Sequence, residues 1–138
     1  MIVRPFHWAG RVHGSVDLYV NGVYRVTMEF IETPTFTRLV TALLSDEEYR
    51  ALQNELLEDP ERGVLIQGGG GIRKLRFAAR GRGKRGGVRV IYYWVKDRHQ
   101  VYFLVVYPKS RKDDLSDGET AILRELVKGL RDGNDAIQ

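Results

Sequence analysis

Residues 68–112 read GGGGIRKLRFAARGRGKRGGVRVIYYWVKDRHQVYFLVVYPKSRK, and this stretch decides the fold. It contains three segments rich in Val, Ile, Tyr, Phe and Trp, at residues 72–79, 88–95 and 101–107. Such segments are typical of β-strands, and the short links between them predict an antiparallel arrangement. In the first two segments, basic residues alternate with apolar ones. This alternation predicts a sheet with one face on a core and one charged face in solvent.

The same stretch carries most of the positive charge of the chain. Its 45 residues hold 13 of the 22 Lys and Arg residues and a single acidic residue, Asp97. Both flanks are acidic: residues 1–67 hold six basic and ten acidic residues, and residues 113–138 hold three and seven. The overall net charge of +4 therefore hides the contrast. So concentrated a field on a predicted sheet indicates a surface that binds a polyanion.

Composition excludes several other classes of protein. A chain of 138 residues with 43% apolar and 29% charged residues is typical of one soluble domain. The absence of cysteine excludes disulfides, thiolate catalysis and the usual zinc sites. No apolar run approaches the roughly 20 residues of a membrane-spanning helix, and the N-terminus does not resemble a signal peptide. We therefore expect a cytoplasmic protein with no membrane partner.

Before the basic stretch, the pattern predicts a hairpin, a strand and two helices. An Asn-Gly pair separates two β-branched and aromatic runs, which is typical of a hairpin in residues 15–27. The segment MEFIETPTF can form the next strand. Apolar residues with helical spacing follow in residues 37–44, and the capping-box sequence at residues 45–48 begins a second helix that ends near Pro60.

After the basic stretch, one more helix is predicted. A second capping-box sequence, residues 116–119, precedes apolar residues on one helical face, and the helix ends near Gly133. The predicted order is thus a strand or hairpin, two helices, three strands and a helix. This order defines the α+β class.

The glycine-rich loop matches a nucleotide-binding pattern in sequence but not in its predicted structural context. Residues 81–86 fit G-x-G-x-x-G, but a strand rather than a helix follows, and Lys84 lacks the Ser or Thr of a Walker A loop after it. We interpret the loop as a basic segment that approaches phosphates. The three histidines are scattered without a second ligand at metal-binding spacing, so no metal site is predicted.

The segment RKLR, residues 73–76, carries the pattern that best fits chemistry. In a strand, Lys74 and Arg76 lie on one face and Arg73 on the other. Arg89 on the next strand can lie beside Lys74 and Arg76. The alternative is a merely basic face whose long side chains extend over apolar surface into solvent.

A cluster of this kind can act on RNA without a metal ion. Arginines neutralise the charge that develops at a phosphodiester in its transition state. A lysine among other cations has a lowered pKa and can transfer a proton near neutral pH. A tyrosine, such as Tyr107 at the end of the third strand, can donate, accept or stack on a base. The reaction would be attack of a ribose 2′-hydroxyl on its own 3′-phosphate.

Four segments resemble the RelE/HigB-type toxins, in particular the HigB-like branch of the RelE superfamily. They are FIETPTF, LSDEEYRALQNEL, DPERGVLIQGGGGIRKLRFAARGRGKRGGVRVIYYW and VYFLVVYPKSRKDDLS. The resemblance covers residues 28–130 and is specific in order and spacing. It implies a microbial RNase-type fold, β-α-α-β-β-β-α with a mainly antiparallel sheet. It also implies a type II toxin that enters the ribosomal A site and cleaves mRNA. Its antitoxin would be a HigA-like helix-turn-helix protein that also binds operator DNA.

By position, the resemblance implies the site residues. The implied catalytic residues are Lys74, Arg76, Arg89, Tyr107 and Lys109, with no metal and no other cofactor. The implied RNA-binding residues are Arg73, Arg80, Arg82, Lys84, Arg85, Arg111 and Lys112. Pro108 departs from the family pattern and leaves the role of Lys109 open.

The resemblance also implies the domain limits. Since the family pattern begins near Met28, we expect residues 1–27 to be an extension, residues 28–132 the toxin domain and residues 133–138 a tail. The basic surface alone equally fits a non-catalytic RNA- or ribosome-binding protein of the same fold, which is the alternative function.

Overall fold

The computed structural model describes the backbone of residues 16–20, 24–79 and 87–132, and the side chains of residues 28–79 and 87–132. The helices are α1 (Pro34–Leu43), α2 (Asp46–Glu58) and α3 (Asp117–Arg131). The strands are β1 (Val16–Val20), β2 (Tyr24–Glu32), β3 (Val64–Leu65), β4 (Arg73–Phe77), β5 (Val88–Val95) and β6 (Gln100–Pro108). Within these ranges the strands form one sheet in the order β1-β2-β6-β5-β4-β3.

The predicted α+β class and the mainly antiparallel sheet are confirmed. Strands β3 to β6 form an antiparallel meander, and β1 pairs antiparallel with β2. Only the pairing of β2 with β6 is parallel among the described strands. This pairing places β6 in the middle of the sheet, between β2 and β5.

The N-terminal hairpin extends further than the sequence pattern indicated. Its strands pair from Val16 opposite Met28 to Val20 opposite Tyr24, while the predicted Asn-Gly turn lies outside the described residues. The second hairpin strand and the predicted MEFIETPTF strand are one continuous strand, β2. The expected boundary between residues 27 and 28 therefore falls inside a strand, and the division into domains stays a prediction.

The helices begin at the residues that cap them. In both capping boxes the serine oxygen accepts from a backbone N–H three residues on, at 3.1 Å in each, from Glu48 to Ser45 and from Glu119 to Ser116. Helix α1 begins earlier than predicted, at Pro34 rather than at residue 37. The reason is that Thr33 caps it, and proline is favourable in the first turn, where its missing N–H costs nothing.

Helices cover both faces of the sheet, so the prediction of a solvated charged face is wrong for most of its length. Helices α1 and α2 pack on one face, where Phe36, Tyr49 and Leu52 are fully buried. Helix α3 packs on the other face through Val127 and Leu130. As a result, β5 is buried on both sides from Val88 to Tyr93. Of the basic residues of β4 and β5, only Arg76 is exposed.

Tyr92 of β5 holds the turn between α2 and β3. Its hydroxyl donates to the Pro60 carbonyl at 2.7 Å and accepts from the Gly63 N–H at 2.9 Å. A Cβ atom on Gly63 would lie 2.8 Å from the Tyr92 ring, so only glycine permits this close approach. Burial raises the pKa of Tyr92, which keeps the hydroxyl protonated for both bonds.

We predict that Tyr92→Phe lowers the free energy of unfolding by about 1–3 kcal/mol, because it leaves the buried Gly63 N–H without its acceptor. Urea denaturation of both proteins measures the difference. A loss below about 0.5 kcal/mol, the usual range for a surface substitution, would contradict the proposed role of the hydroxyl.

Candidate active site

Strand register brings four of the proposed catalytic side chains together at one end of the sheet. Lys74 and Arg76 lie two residues apart on β4, and Arg76 lies directly opposite Arg89 of β5. Arg89 in turn lies opposite Tyr107 of β6. We call these four residues the sheet-end cluster. They share the face of the sheet that α3 covers, beside the packed residues of that face.

The four side chains differ sharply in exposure. Arg89 is only 6% exposed and the Lys74 side chain only 15%, whereas Arg76 is exposed. A buried guanidinium is costly unless an opposite charge pairs with it. Directly opposite like charges in a sheet also repel, so Arg76 raises the cost further. The cluster therefore requires acidic partners from elsewhere in the chain.

Two adjacent carboxylates, Asp113 and Asp114, supply these partners. We call them the acidic pair; they lie between β6 and α3. Arg89 donates to Asp113 Oδ1 through Nε and Nη2, each at 2.8 Å. Lys74 forms a short ion pair with Asp114, and its ammonium also lies 3.4 Å from the Asp113 carbonyl oxygen. Arg89 and Lys74 are thus both held by one short segment.

The Asp113 contacts have a defined pH dependence. The hydrogen bond from Arg89 lowers the pKa of Asp113 below its ordinary value, and the charges of Arg89, Lys74 and Arg76 act in the same direction. Since the folded-state pKa is depressed, the pairing stabilises the fold at neutral pH. That stabilisation is lost as the pH falls through the depressed pKa.

Tyr107 is the unusual member of the cluster. Its side chain is 6% exposed, and its hydroxyl has no hydrogen-bond partner in the described part of the chain. Burial, followed by the negative charge of Asp114, raises the pKa of Tyr107 to about 12. The hydroxyl is therefore neutral at physiological pH. A buried hydroxyl without a hydrogen-bond partner costs free energy and does not stabilise the fold.

Lys112 connects the cluster to α3. Its ammonium lies 5.1 Å from the centroid of the Tyr107 ring, within cation–π range, and 2.5 Å from Glu119 Oε2. The other Glu119 oxygen accepts from the Ser116 N–H at 2.8 Å. The bond from Lys112, followed by that from Ser116, lowers the pKa of Glu119. The segment that carries the acidic pair is thereby fixed to the first turn of α3.

The other predicted site residues lie apart from these contacts or outside the described residues. Lys109 and Arg111 are exposed just beyond β6, where the Lys109 N–H donates to Gly87 at 3.2 Å. Arg73 lies on the opposite face, as predicted, and donates to the Gly63 carbonyl at 2.9 Å. The loop residues outside the described ranges are Arg80, Arg82, Lys84 and Arg85.

The acidic pair was not predicted from the sequence. Asp113 and Asp114 counted there only as part of an acidic flank. The available signal was the abrupt change of charge after Lys112, where two adjacent acids directly follow three basic residues at positions 109, 111 and 112. An abrupt reversal of this kind next to a basic sheet indicates an internal ion-pair partner.

Among the described residues, no three His, Asp or Glu side chains lie close enough together to hold a metal ion. None of the helices in these ranges is long and apolar enough to cross a membrane. His99 adopts a left-handed conformation, with φ of 54°, at the turn before β6.

The fold and the cluster define a class of small α+β proteins that present cations and a tyrosine at the end of a sheet. A family model described as "RelE toxin of RelE / RelB toxin-antitoxin system" matches residues 32–136. The match spans most of the 138 residues, and the chain belongs to this family. The predicted RelE-type toxin and RelE-like fold are therefore confirmed. Toxins of this family generally cleave mRNA, act in connection with the ribosome and have an antitoxin partner.

We predict that Tyr107→Phe leaves the free energy of unfolding unchanged or raises it by up to about 1 kcal/mol, because it removes a buried hydroxyl that has no hydrogen-bond partner among the described residues. The measurement is urea denaturation beside Tyr92→Phe, which removes the same atom from a fully bonded tyrosine. An equal loss of unfolding free energy in the two variants would show that the Tyr107 hydroxyl has a hydrogen-bond partner in solution.

Proposed function

We propose that the protein is a ribosome-dependent mRNA endonuclease toxin of the HigB-like branch. One observation carries the proposal: Lys74, Arg76, Arg89 and Tyr107 lie on one face at the same end of the sheet. These are the residue types that metal-independent RNA cleavage requires. Family membership supports mRNA as the substrate.

The proposed reaction is attack of a ribose 2′-oxygen on the adjacent phosphorus. A bond forms between the 2′-oxygen and phosphorus, and the bond from phosphorus to the 5′-oxygen breaks. The 2′-hydroxyl loses its proton, and the departing 5′-oxygen gains one. Arg76 and Arg89 stabilise the charge on the phosphoryl oxygens, and Lys74 transfers a proton.

Tyr107 and Lys109 complete the proposed catalytic set. Since the pKa of Tyr107 is about 12, its hydroxyl acts as a neutral donor or stacks on a base, and it does not act as a general base. Exposed Lys109 and Arg111 contact phosphates, together with Lys112 once it is released from Glu119. Arg73 and the loop residues at 80, 82, 84 and 85 extend the phosphate contacts.

The acidic pair forms ion pairs with the cations that the RNA phosphates would contact. Asp113 accepts from Arg89 and Asp114 pairs with Lys74, so two carboxylates lie where phosphate oxygens would bind. The Tyr107 hydroxyl is buried in the same arrangement. We therefore propose that RNA displaces the acidic pair as it binds and uncovers Tyr107.

We predict that Lys74→Ala and Arg89→Ala abolish ribosome-dependent cleavage while they weaken RNA binding far less. The reason is that each cation stabilises the transition state more than the bound substrate. Primer extension on a reporter mRNA in a reconstituted translation reaction measures cleavage, with EDTA at levels that leave ribosomes intact. We expect cutting within codons by the wild type, still present with EDTA.

The matched control is Lys96→Ala, which removes an exposed cation at the opposite end of β5. It should cleave as the wild type does. Full cleavage by Lys74→Ala or Arg89→Ala would exclude the sheet-end cluster as the active site, and cleavage that disappears with EDTA would exclude the metal-independent route.

We predict that the double variant Asp113→Asn/Asp114→Asn binds single-stranded RNA several-fold more tightly at low salt, because Arg89 and Lys74 lose their internal competitors. Fluorescence anisotropy with a labelled oligonucleotide measures the affinity. The control Asp117→Asn/Glu125→Gln makes the same change in net charge at exposed positions of α3. Equal gains in both double variants would show that only net charge matters.

The alternative is a non-catalytic protein of the same fold that binds RNA or the ribosome. The buried Tyr107 hydroxyl and the occupied Arg89 and Lys74 favour it, because a permanently closed site cannot act on RNA. Contacts from six to eight cations would give a salt slope of log K of roughly −4 to −6 for single strands in either case. Intact mRNA despite such binding would establish this alternative.

The proposal also specifies partners and location. We propose a HigA-like helix-turn-helix antitoxin, through which the toxin contacts operator DNA only indirectly. The ribosomal A site and its mRNA are the proposed target, so we place the protein in the cytoplasm. Copurification of wild-type toxin with ribosomes and with the candidate antitoxin tests these assignments.

A further inference from the structure

Strand β6 contains one residue more than its pairing with β5 requires. Tyr92 pairs with Phe103, but the next residue back along β5, Ile91, pairs with Val105. Leu104 is therefore the extra residue of a β-bulge, with no partner on β5. Beyond the bulge, regular pairing resumes as far as Val88 opposite Pro108.

The bulge determines which way Tyr107 faces. A straight continuation from the Tyr92–Phe103 pair would place Val106, not Tyr107, opposite Arg89. Because strand residues alternate between faces, Tyr107 would then point toward α1 and α2. With the bulge, Tyr107 lies opposite Arg89 on the face that carries Lys74. The extra residue thus completes the sheet-end cluster.

Thr33 bonds directly to the bulge. Its hydroxyl donates to the Leu104 carbonyl at 2.6 Å, and its N–H donates to the Phe103 carbonyl at 3.1 Å. The same hydroxyl oxygen accepts from the Phe36 N–H at 3.0 Å as the cap of α1. Thr33 is 7% exposed and Leu104 1% exposed, so water does not replace these bonds. A bulge otherwise leaves a carbonyl unpaired, and here Thr33 satisfies it.

We infer that Thr33 is a positioning residue that fixes the β6 bulge and so holds Tyr107 opposite Arg89. The catalytic importance of this placement rests on the proposed function. The control of register by Thr33 does not, because it follows from the hydrogen bonds alone. The residue acts through Tyr107 and has no proposed contact with RNA.

Engineered disulfides can report the register, because the chain contains no cysteine. Directly opposite residues in an antiparallel pair have Cα atoms about 4.5–5.5 Å apart, within the range that a disulfide spans. The pair Val90→Cys/Val106→Cys reports the bulged register. The pair Val90→Cys/Val105→Cys reports the straight register, because only there would these two residues lie opposite each other; with the bulge, Val105 packs on the other face of the sheet.

With Thr33 intact, we expect oxidation to form the 90–106 disulfide in preference to the 90–105 disulfide. In Thr33→Val, which keeps the shape but lacks the donor, the ratio of the two should shift by about tenfold toward 90–105, the change expected for one lost buried hydrogen bond. Thr33→Ser keeps the hydroxyl and should restore the original ratio. In cysteine-free proteins, Thr33→Val should lower kcat with little change in KM, and Thr33→Ser should not.

The control for helix capping is Ser45→Ala, which removes the cap of α2 and leaves β6 untouched. It should keep the preference for the 90–106 disulfide. An unchanged disulfide ratio in Thr33→Val would overturn the inference. Failure of Thr33→Val to fold, while Ser45→Ala folds, would also overturn it, because the Thr33 hydroxyl would then support the whole sheet. A shifted ratio in a protein that never cleaves mRNA would overturn the proposed function and leave the register inference standing.

Discussion

The burial of Arg89 opposite Arg76 is the constraint on which the site depends. Two like charges on adjacent strands repel, and a guanidinium that is 6% exposed needs a carboxylate. Asp113 meets this need from outside the sheet. It can do so only because the chain after β6 returns over the sheet end and is fixed to α3. The ion pair that stabilises the cluster therefore also occupies its cations. In the proposed function, the stability of this end of the sheet and its availability to RNA oppose each other.

Much of the fold follows from local patterns in the sequence. The run of β-branched and aromatic residues at 88–95 predicts the bounds of β5 correctly, and the serines at positions 45 and 116 cap α2 and α3 as expected. Strand β3 was missed because two residues, Val64–Leu65, are too few for a periodic pattern. Local periodicity does not encode the parallel pairing of β2 with β6 or the packing of α3 on the sheet. Both depend on contacts between residues that are far apart in the chain.

The part of the site that follows the two-residue alternation of a β-strand was predictable. This alternation places Lys74 and Arg76 on one face, and antiparallel pairing brings Arg89 beside them. Tyr107 reaches that face only because the bulge at Leu104 breaks the period, and nothing local in VYFLVVYP marks the break. The acidic pair was missed because its ion pairs join residues 24 and 40 positions apart, from Arg89 to Asp113 and from Lys74 to Asp114.

The parallel partner of β6 has a consequence for biosynthesis. Thr33 and Leu104 are 71 residues apart in the chain, as are Glu29 and Gln100 of the β2–β6 pair. Contacts of such sequence separation form late in folding, and translation at about 5–20 residues per second delays β6 by several seconds after β2. A nascent chain that has not yet completed β6 therefore cannot assemble the sheet end, because β2 and β5 both pair with that strand.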